Sequence, residues 1–119
     1  MRPLRKRIGL MAVTLLLVTL ITGCRGQLTV TVPLTILANN PTAFDDNQIV
    51  THGVVRHFND PLHYWIEDEH LNRVEVFPHQ QIAPFLGDVV EVEGRFQFSP
   101  HEGRRLTLAR VERDVSSTE

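Results

Sequence analysis

The chain has 119 residues, 42% hydrophobic and 22% charged, a composition that fits one ordinary globular domain and excludes multi-domain enzymes, repeat arrays and disordered or fibrous proteins. The formal net charge is −2, but four of the 12 basic residues, Arg2, Arg5, Lys6 and Arg7, crowd the N-terminus, so the remainder of the chain carries about −6. A net acidic domain without a basic run lacks the phosphate-neutralising term that drives non-specific nucleic-acid binding, which disfavours nucleic acid as a partner.

Residues 1–23 read as a targeting segment. The basic group is followed by Ile8 to Thr22, fifteen residues without a charge and with a Leu-rich centre. A helix that spans a bilayer needs about twenty, so an uncleaved signal anchor is the weaker alternative. The run ends in Leu20-Ile21-Thr22-Gly23-Cys24. This tract resembles the lipobox of bacterial lipoproteins, with small residues before an obligatory Cys and Ile21 where Leu is usual. The resemblance implies cleavage after Gly23, a diacylglyceryl group on the Cys24 thiol and a further acyl chain, such as palmitate, on the new amine. Two or more chains anchor a protein stably where one binds only marginally. It also implies a domain facing the periplasm, and Arg25, where an Asp would favour inner-membrane retention, points to the outer membrane. Only Arg25, Gly26 and Gln27 separate the anchor from the first apolar alternation, at no more than about 3.6 Å each, so the domain is expected to sit close to its membrane. Cys24 is the only cysteine, which excludes an internal disulfide or a CxxC pair.

Leu28, Val30 and Val32 alternate with Thr29 and Thr31 as a short strand that Pro33 ends. Pro33 to Asn39 reads as a short helix, with Pro tolerated in the first turn and Asn40-Pro41 as its stop. Thr42 to Gln48 is polar and turn-rich. Alternation then marks five strands, Ile49–Phe58, Leu62–Asp68, Asn72–Phe77, Val89–Phe98 and Arg105–Glu112. Asn59-Asp60-Pro61 joins the first two, Glu69-His70-Leu71 the next two, and Ser99 to Gly103 the last two. Pro78 to Gly87 places Ile82, Phe85 and Leu86 at near-helical spacing, but Pro84 interrupts it, so this link predicts a short, imperfect helix.

Three strands, a short helix and two strands is the order of an all-β, five-stranded Greek-key OB-fold barrel whose helix plugs one end. The residues Ile49-Val50-Thr51-His52-Gly53-Val54-Val55, Tyr64-Trp65-Ile66-Glu67-Asp68, Gly87-Asp88-Val89-Val90-Glu91-Val92-Glu93-Gly94 and Leu106 to Glu112, with the lead-in Leu34 to Phe44, resemble bacterial periplasmic OB-fold domains of small lipoproteins. The resemblance covers residues 34–114 and departs in the two prolines of the third link and in the lack of a basic binding face. The expected organisation is a signal peptide over 1–23, a lipidated anchor and tether over 24–33, the barrel with its lead-in over 34–114 and a polar tail over 115–119.

Parity assigns the faces. Ile49, Thr51, Gly53 and Val55 point inward with Val90, Val92 and Phe96, and Gly53 and Gly94 mark bends. Tyr64, Ile66, Val74, Val76, Leu106 and Leu108 complete the core. His63, Trp65, Glu67, Arg73, Glu75 and Phe77 then point outward, on the face that OB-folds use for ligands, flanked by hairpin loops carrying Asp60 and His101. Trp65 is expected to be exposed because Tyr64 and Ile66 fit the core parity. An outward aromatic ringed by Arg73, His63 and Glu67 favours an envelope protein, peptide or glycan as partner. Outward aromatics on these strands can also stack bases, which keeps single-stranded nucleic acid as the alternative.

Catalysis has little material. Ser99, His101 and Glu102 share one loop and read as a turn, and GxSxG, P-loop and GxGxxG patterns are missing. Glu67-Asp68-Glu69 approaches a turn, where solvated acids are the default. The reading is a non-catalytic module without a cofactor. Its six histidines, His52, His57, His63, His70, His79 and His101, match no compact ligand motif, and a zinc or copper site completed by Glu67 or Asp68 is a further alternative. Protonating all six would take the mature charge from about −6 to about zero, where association is favoured. Self-association is therefore expected to rise between about pH 8 and pH 5, and a sedimentation profile that stays monodisperse across that range would refute it.

Overall fold

The computed structural model describes residues 29–115, so Cys24 and the lipobox-like tract lie outside the described residues. In chain order the elements are β1 (Val30–Thr31), α1 (Leu34–Asn39), a 3-10 turn (Pro41–Phe44), β2 (Asn47–Asn59), β3 (Leu62–Glu67), β4 (Arg73–Phe77), α2 (His79–Ile82) running into a second 3-10 turn (Ala83–Phe85), β5 (Val89–Ser99) and β6 (Gly103–Arg113). The five strands expected from alternation are β2 to β6. The interrupted helix of the third link is α2 with its 3-10 extension, which Pro84 confines.

The strands close on themselves. β2 runs antiparallel to both β3 and β5, β3 to β4 and β5 to β6 are antiparallel, and β4 lies parallel to β6. The result is a closed five-stranded barrel with the OB-fold order and a short helix between its third and fourth strands. β1 adds outside the ring, parallel to β2, with Val30 opposite Ile49. β2 serves two neighbours in succession, pairing with β5 from Asn47 to Val54 and with β3 from Val54 to Asn59. At the handover a Cβ on Gly53 would lie 2.9 Å from Leu34 Cδ1 and 3.1 Å from both the amide nitrogen and the carbonyl oxygen of Glu67. Glycine is needed there because another backbone approaches.

Ile49, Val55, Ile66, Val74, Val76, Val90, Val92, Phe96, Leu106 and Leu108 fill the barrel, as parity requires. Thr51 is buried with them. α1 closes one end with Leu34 and Leu37, tied to the β3–β4 turn where Thr35 Oγ1–H donates to Asp68 Oδ2 at 3.2 Å. α2 closes the other end with the fully buried Ile82. Tyr64, expected in the core, is half-buried at this second end, where its ring stacks on His57 at 5.6 Å and tilts against His79 at 5.5 Å. An amphipathic ring at the end of a barrel keeps its hydroxyl end free of the apolar interior.

A bulge between Glu93 and Gly94 shifts the register of β5 against β6. A Cβ on Gly94 would fall 2.1 Å from the Thr107 carbonyl oxygen, against backbone that has nowhere to go, whereas the tightest neighbour of Gly53 is a rotatable leucine methyl. Gly94→Ala is therefore expected to destabilise the full chain by about 3 kcal/mol or more and Gly53→Ala by only about 1–2 kcal/mol in urea unfolding. Equal losses would show that the bulge does not depend on this close approach.

Candidate functional site

The register that buries Ile66, Val74 and Val76 turns the alternate side chains of β3 and β4 outward. Trp65 pairs with Glu75, and Glu67 with Arg73. β2 adds Arg56 opposite Trp65, and β6 adds Arg105 opposite Glu75 and Thr107 opposite Phe77. Rings and cations interleave on this surface. The Arg73 guanidinium sits 4.9 Å from the Trp65 ring centre, His63 stacks on the same indole at 5.1 Å, and the Arg105 guanidinium sits 4.6 Å from the Phe77 ring. Phe77 also stacks on His79 at 5.7 Å. Trp65 is consequently half-buried rather than exposed: it faces outward, as parity requires, but its neighbours cover it.

Glu67 is the hub, and it is not the solvated acid expected beside a turn. Its side chain is only 13% exposed, its Oε1 accepts the Trp65 Nε1–H at 2.8 Å and faces Arg73 Nε at 3.3 Å, and its Oε2 faces Arg56 Nε at 3.6 Å. Asp68 is equally committed. It accepts the backbone N–H groups of His70 and Asn72, both at 2.9 Å, and the Asn72 side-chain amide at 2.8 Å. Partial burial pushes its pKa up, but these hydrogen bonds outweigh burial and hold the carboxyl below its ordinary value. Among the described residues no three of His, Cys, Asp and Glu converge as a ligand set. The histidines are dispersed: His52 contacts Glu91 at 3.2 Å on the far wall, His63 Nδ1 hydrogen-bonds the Pro61 carbonyl at 2.8 Å, and His70 sits beside Glu69.

Two open clefts flank the Trp65–Arg73 ridge. One, of about 430 Å³, is lined by Val55, Arg56, His57, Trp65, Glu67, Arg73, Leu86 and Gly87. The other, of about 210 Å³, is lined by His63, Trp65, Arg73, Glu75 and Arg104. The loop residues flank the face at its two ends. Asp60 lies in the β2–β3 turn beside Leu62, whereas His101 lies in the β5–β6 turn, at the end where β4 begins. In that second turn the Glu102 N–H donates to Ser99 Oγ at 3.1 Å, so Ser99 closes a turn.

The expected lack of a basic face does not hold. Arg56, Arg73, Arg104 and Arg105 gather on the surface that holds Glu67 and Glu75, although no two except the last are neighbours in sequence. Cross-strand pairing assembles them, so a search for a basic run misses them. The opposite wall, on β5 and the end of β6, carries Glu91, Glu93 and Glu112 around Arg110, at 3.1, 3.4 and 3.2 Å. The hydrogen bond with Glu91 leads the causes that raise the Arg110 pKa above its ordinary value.

No protein-family profile and no curated protein matches this chain. Among solved structures, the hypothetical protein YgiW from E. coli is similar with a TM-score of 0.52 and 13% identity, over 76% of this chain and 100% of that one. At that identity the likeness is one of fold, and it supports a small OB-fold-like barrel. A protein of Leishmania major Friedlin described as an aspartyl-tRNA synthetase overlays with a TM-score of 0.49 and 12% identity, over 70% of this chain and 20% of that one.

Removing the hub and removing its neighbour should differ. Glu67→Ala leaves the Trp65 N–H and two guanidiniums without their acceptor and is expected to lower stability by about 1–3 kcal/mol. Glu75, whose side chain makes no hydrogen bond or ion pair among the described residues, should tolerate Ala within about 0.5 kcal/mol. Equal losses in chemical denaturation would remove Glu67 from the centre of the site.

Proposed function

We propose that this chain is a lipid-anchored binding module of the bacterial cell envelope, facing the periplasm and non-catalytic, whose β3–β4–β6 face takes an extended segment of an envelope protein, peptide or glycan. The observation that carries this reading is the pair of aromatic rings, Trp65 and Phe77, each lying against an arginine on one surface of the barrel. Aromatic side chains and arginine dominate the energetic centres of protein interfaces. The clefts beside the rings are open, which suits an extended ligand laid across strands better than a small molecule enclosed in a cavity. The anchor rests on the resemblance of Leu20 to Cys24 to a lipobox, and Arg25 favours the outer membrane.

Single-stranded nucleic acid is the second reading, favoured by the same rings with four arginines around them. The acidic balance of the domain, about −6, opposes a polyanion at long range. Binding that collapses as salt rises would favour the nucleic-acid reading.

A photo-reactive residue in place of Glu75, whose side chain has no hydrogen-bond or ion-pair partner among the described residues, tests the module in native cells, with the same residue at Glu112 on the opposite wall as control. A discrete adduct from position 75 and none from position 112 is the expected result. No adduct, or equal adducts from both, would overturn the assignment of the face. In the same cells Cys24→Ser should move the protein out of the membrane fraction, and a variant that stays there would overturn the lipid anchor.

A further inference from the structure

We infer that the cleft between Arg56 and Arg73 is a carboxylate site that takes the free C-terminus of a peptide ending in an apolar residue. This inference rests on the binding-module reading and names the ligand chemistry of one part of that face. Arg56 and Arg73 direct their Nε groups to different oxygens of one carboxylate, Glu67 Oε2 and Oε1. A guanidinium has five N–H donors, and among the described residues Arg56 spends none elsewhere, while Arg73 adds only its contact with the Trp65 ring. The terminal nitrogens of both therefore have no hydrogen-bond partner among the described residues. Their side chains are 52% and 51% exposed, whereas Glu67 between them is 13% exposed, so the acid forms the base of a pincer and the arginines its open jaws.

Charge selects the ligand. Two guanidiniums and one carboxylate leave a net +1, which one carboxylate cancels, whereas a phosphate near two negative charges would stand uncompensated beside Glu67. Shape selects what the carboxylate is attached to. The cleft is also walled by the Trp65 indole and by Leu86, an apolar side chain left 44% exposed. Gly87, at φ +86, has nothing within 4 Å of where a Cβ would stand, so the neighbouring wall leaves room for a side chain. A C-terminal residue supplies a carboxylate and an apolar side chain on one carbon. An internal Asp or Glu supplies the same carboxylate without that adjacent apolar group.

The test uses the full lipidated chain in detergent micelles and reads the emission of Trp65, the only tryptophan. The probes are acetyl-Ala-Ala-Leu as free acid, its C-terminal amide, acetyl-Ala-Asp-Ala amide and inorganic phosphate. The free acid is expected to give a saturable change, with the two amides at least about tenfold weaker and phosphate inactive. Arg56→Gln and Arg73→Gln should each weaken the free acid at least about tenfold in a chain that still unfolds cooperatively, and Arg95→Gln, at the distant Asp46 contact, should not. Equal binding of acid and amide, preference for phosphate, no response to any probe, or insensitivity to both cleft variants would overturn the carboxylate site. Crosslinking from position 75 in an Arg56→Gln background separates the two levels. An adduct that persists while the peptide assay fails overturns the carboxylate site alone, and the loss of adducts from the unsubstituted background overturns the module as well.

Discussion

Everything on the outer surface depends on the double use of β2. One strand has to pair with β5 over its first half and with β3 over its second, and the exchange takes place at Gly53 and Val54. Without that exchange the ring does not close, and β3, β4 and β6 do not form a continuous face. The close approach that permits it is made to the backbone of Glu67, within 3.1 Å of where a Gly53 Cβ would stand. Glu67 is thus the last residue of β3, paired with Val54 on one side and Arg73 on the other. The backbone constraint that closes the barrel also fixes the carboxylate around which the two arginines are arranged.

This coincidence explains why the sequence discloses some features and conceals others. Period-two alternation is a local signal, and it places Ile66, Val74 and Val76 inside and His63, Trp65, Glu67, Arg73, Glu75 and Phe77 outside without any knowledge of pairing. Gly53 and Gly94 stand out because a glycine in a valine-rich strand has little other use. Parity names a side, however, and not what covers it. The exposure expected for Trp65 fails because Arg73 comes from another strand and His63 from a rotamer, neither of which alternation encodes. The arginine cluster is hidden for the same reason: Arg56, Arg73 and Arg105 belong to three strands and meet only through the register of β2 with β3 and the parallel pairing of β4 with β6. Parity assigns Tyr64 to the core, yet it lies near the end of its strand, where inward-facing positions open onto the closing helix.

The segregation of charge is a consequence of the same topology. β6 contributes Arg105 to the aromatic face near its start and Arg110 and Glu112 to the opposite wall near its end, so one strand crosses from one electrostatic environment to the other. On the acidic wall Arg110 is surrounded by three glutamates and has little left to offer a ligand. On the aromatic face the ratio is reversed, with four arginines and two glutamates. A domain whose overall charge repels anions can still receive one locally, because the opposing charges lie on the far side of the barrel and salt screens them beyond roughly 8–10 Å.

Glu67 governs how well that local charge is used. Two guanidiniums gathered at one spot repel one another, and although solvent screens part of that repulsion at half-exposed positions, it still tends to splay long side chains apart. A carboxylate between them removes most of that repulsion and holds each Nε in place, so the ordering cost of two flexible arginines is met on folding instead of on binding. The same carboxylate halves the net positive charge available, which weakens attraction for any anion but weakens it most for highly charged ones. Orientation is gained and indiscriminate affinity is lost, and that exchange favours a ligand recognised by the geometry of its single charge and by the apolar group it carries.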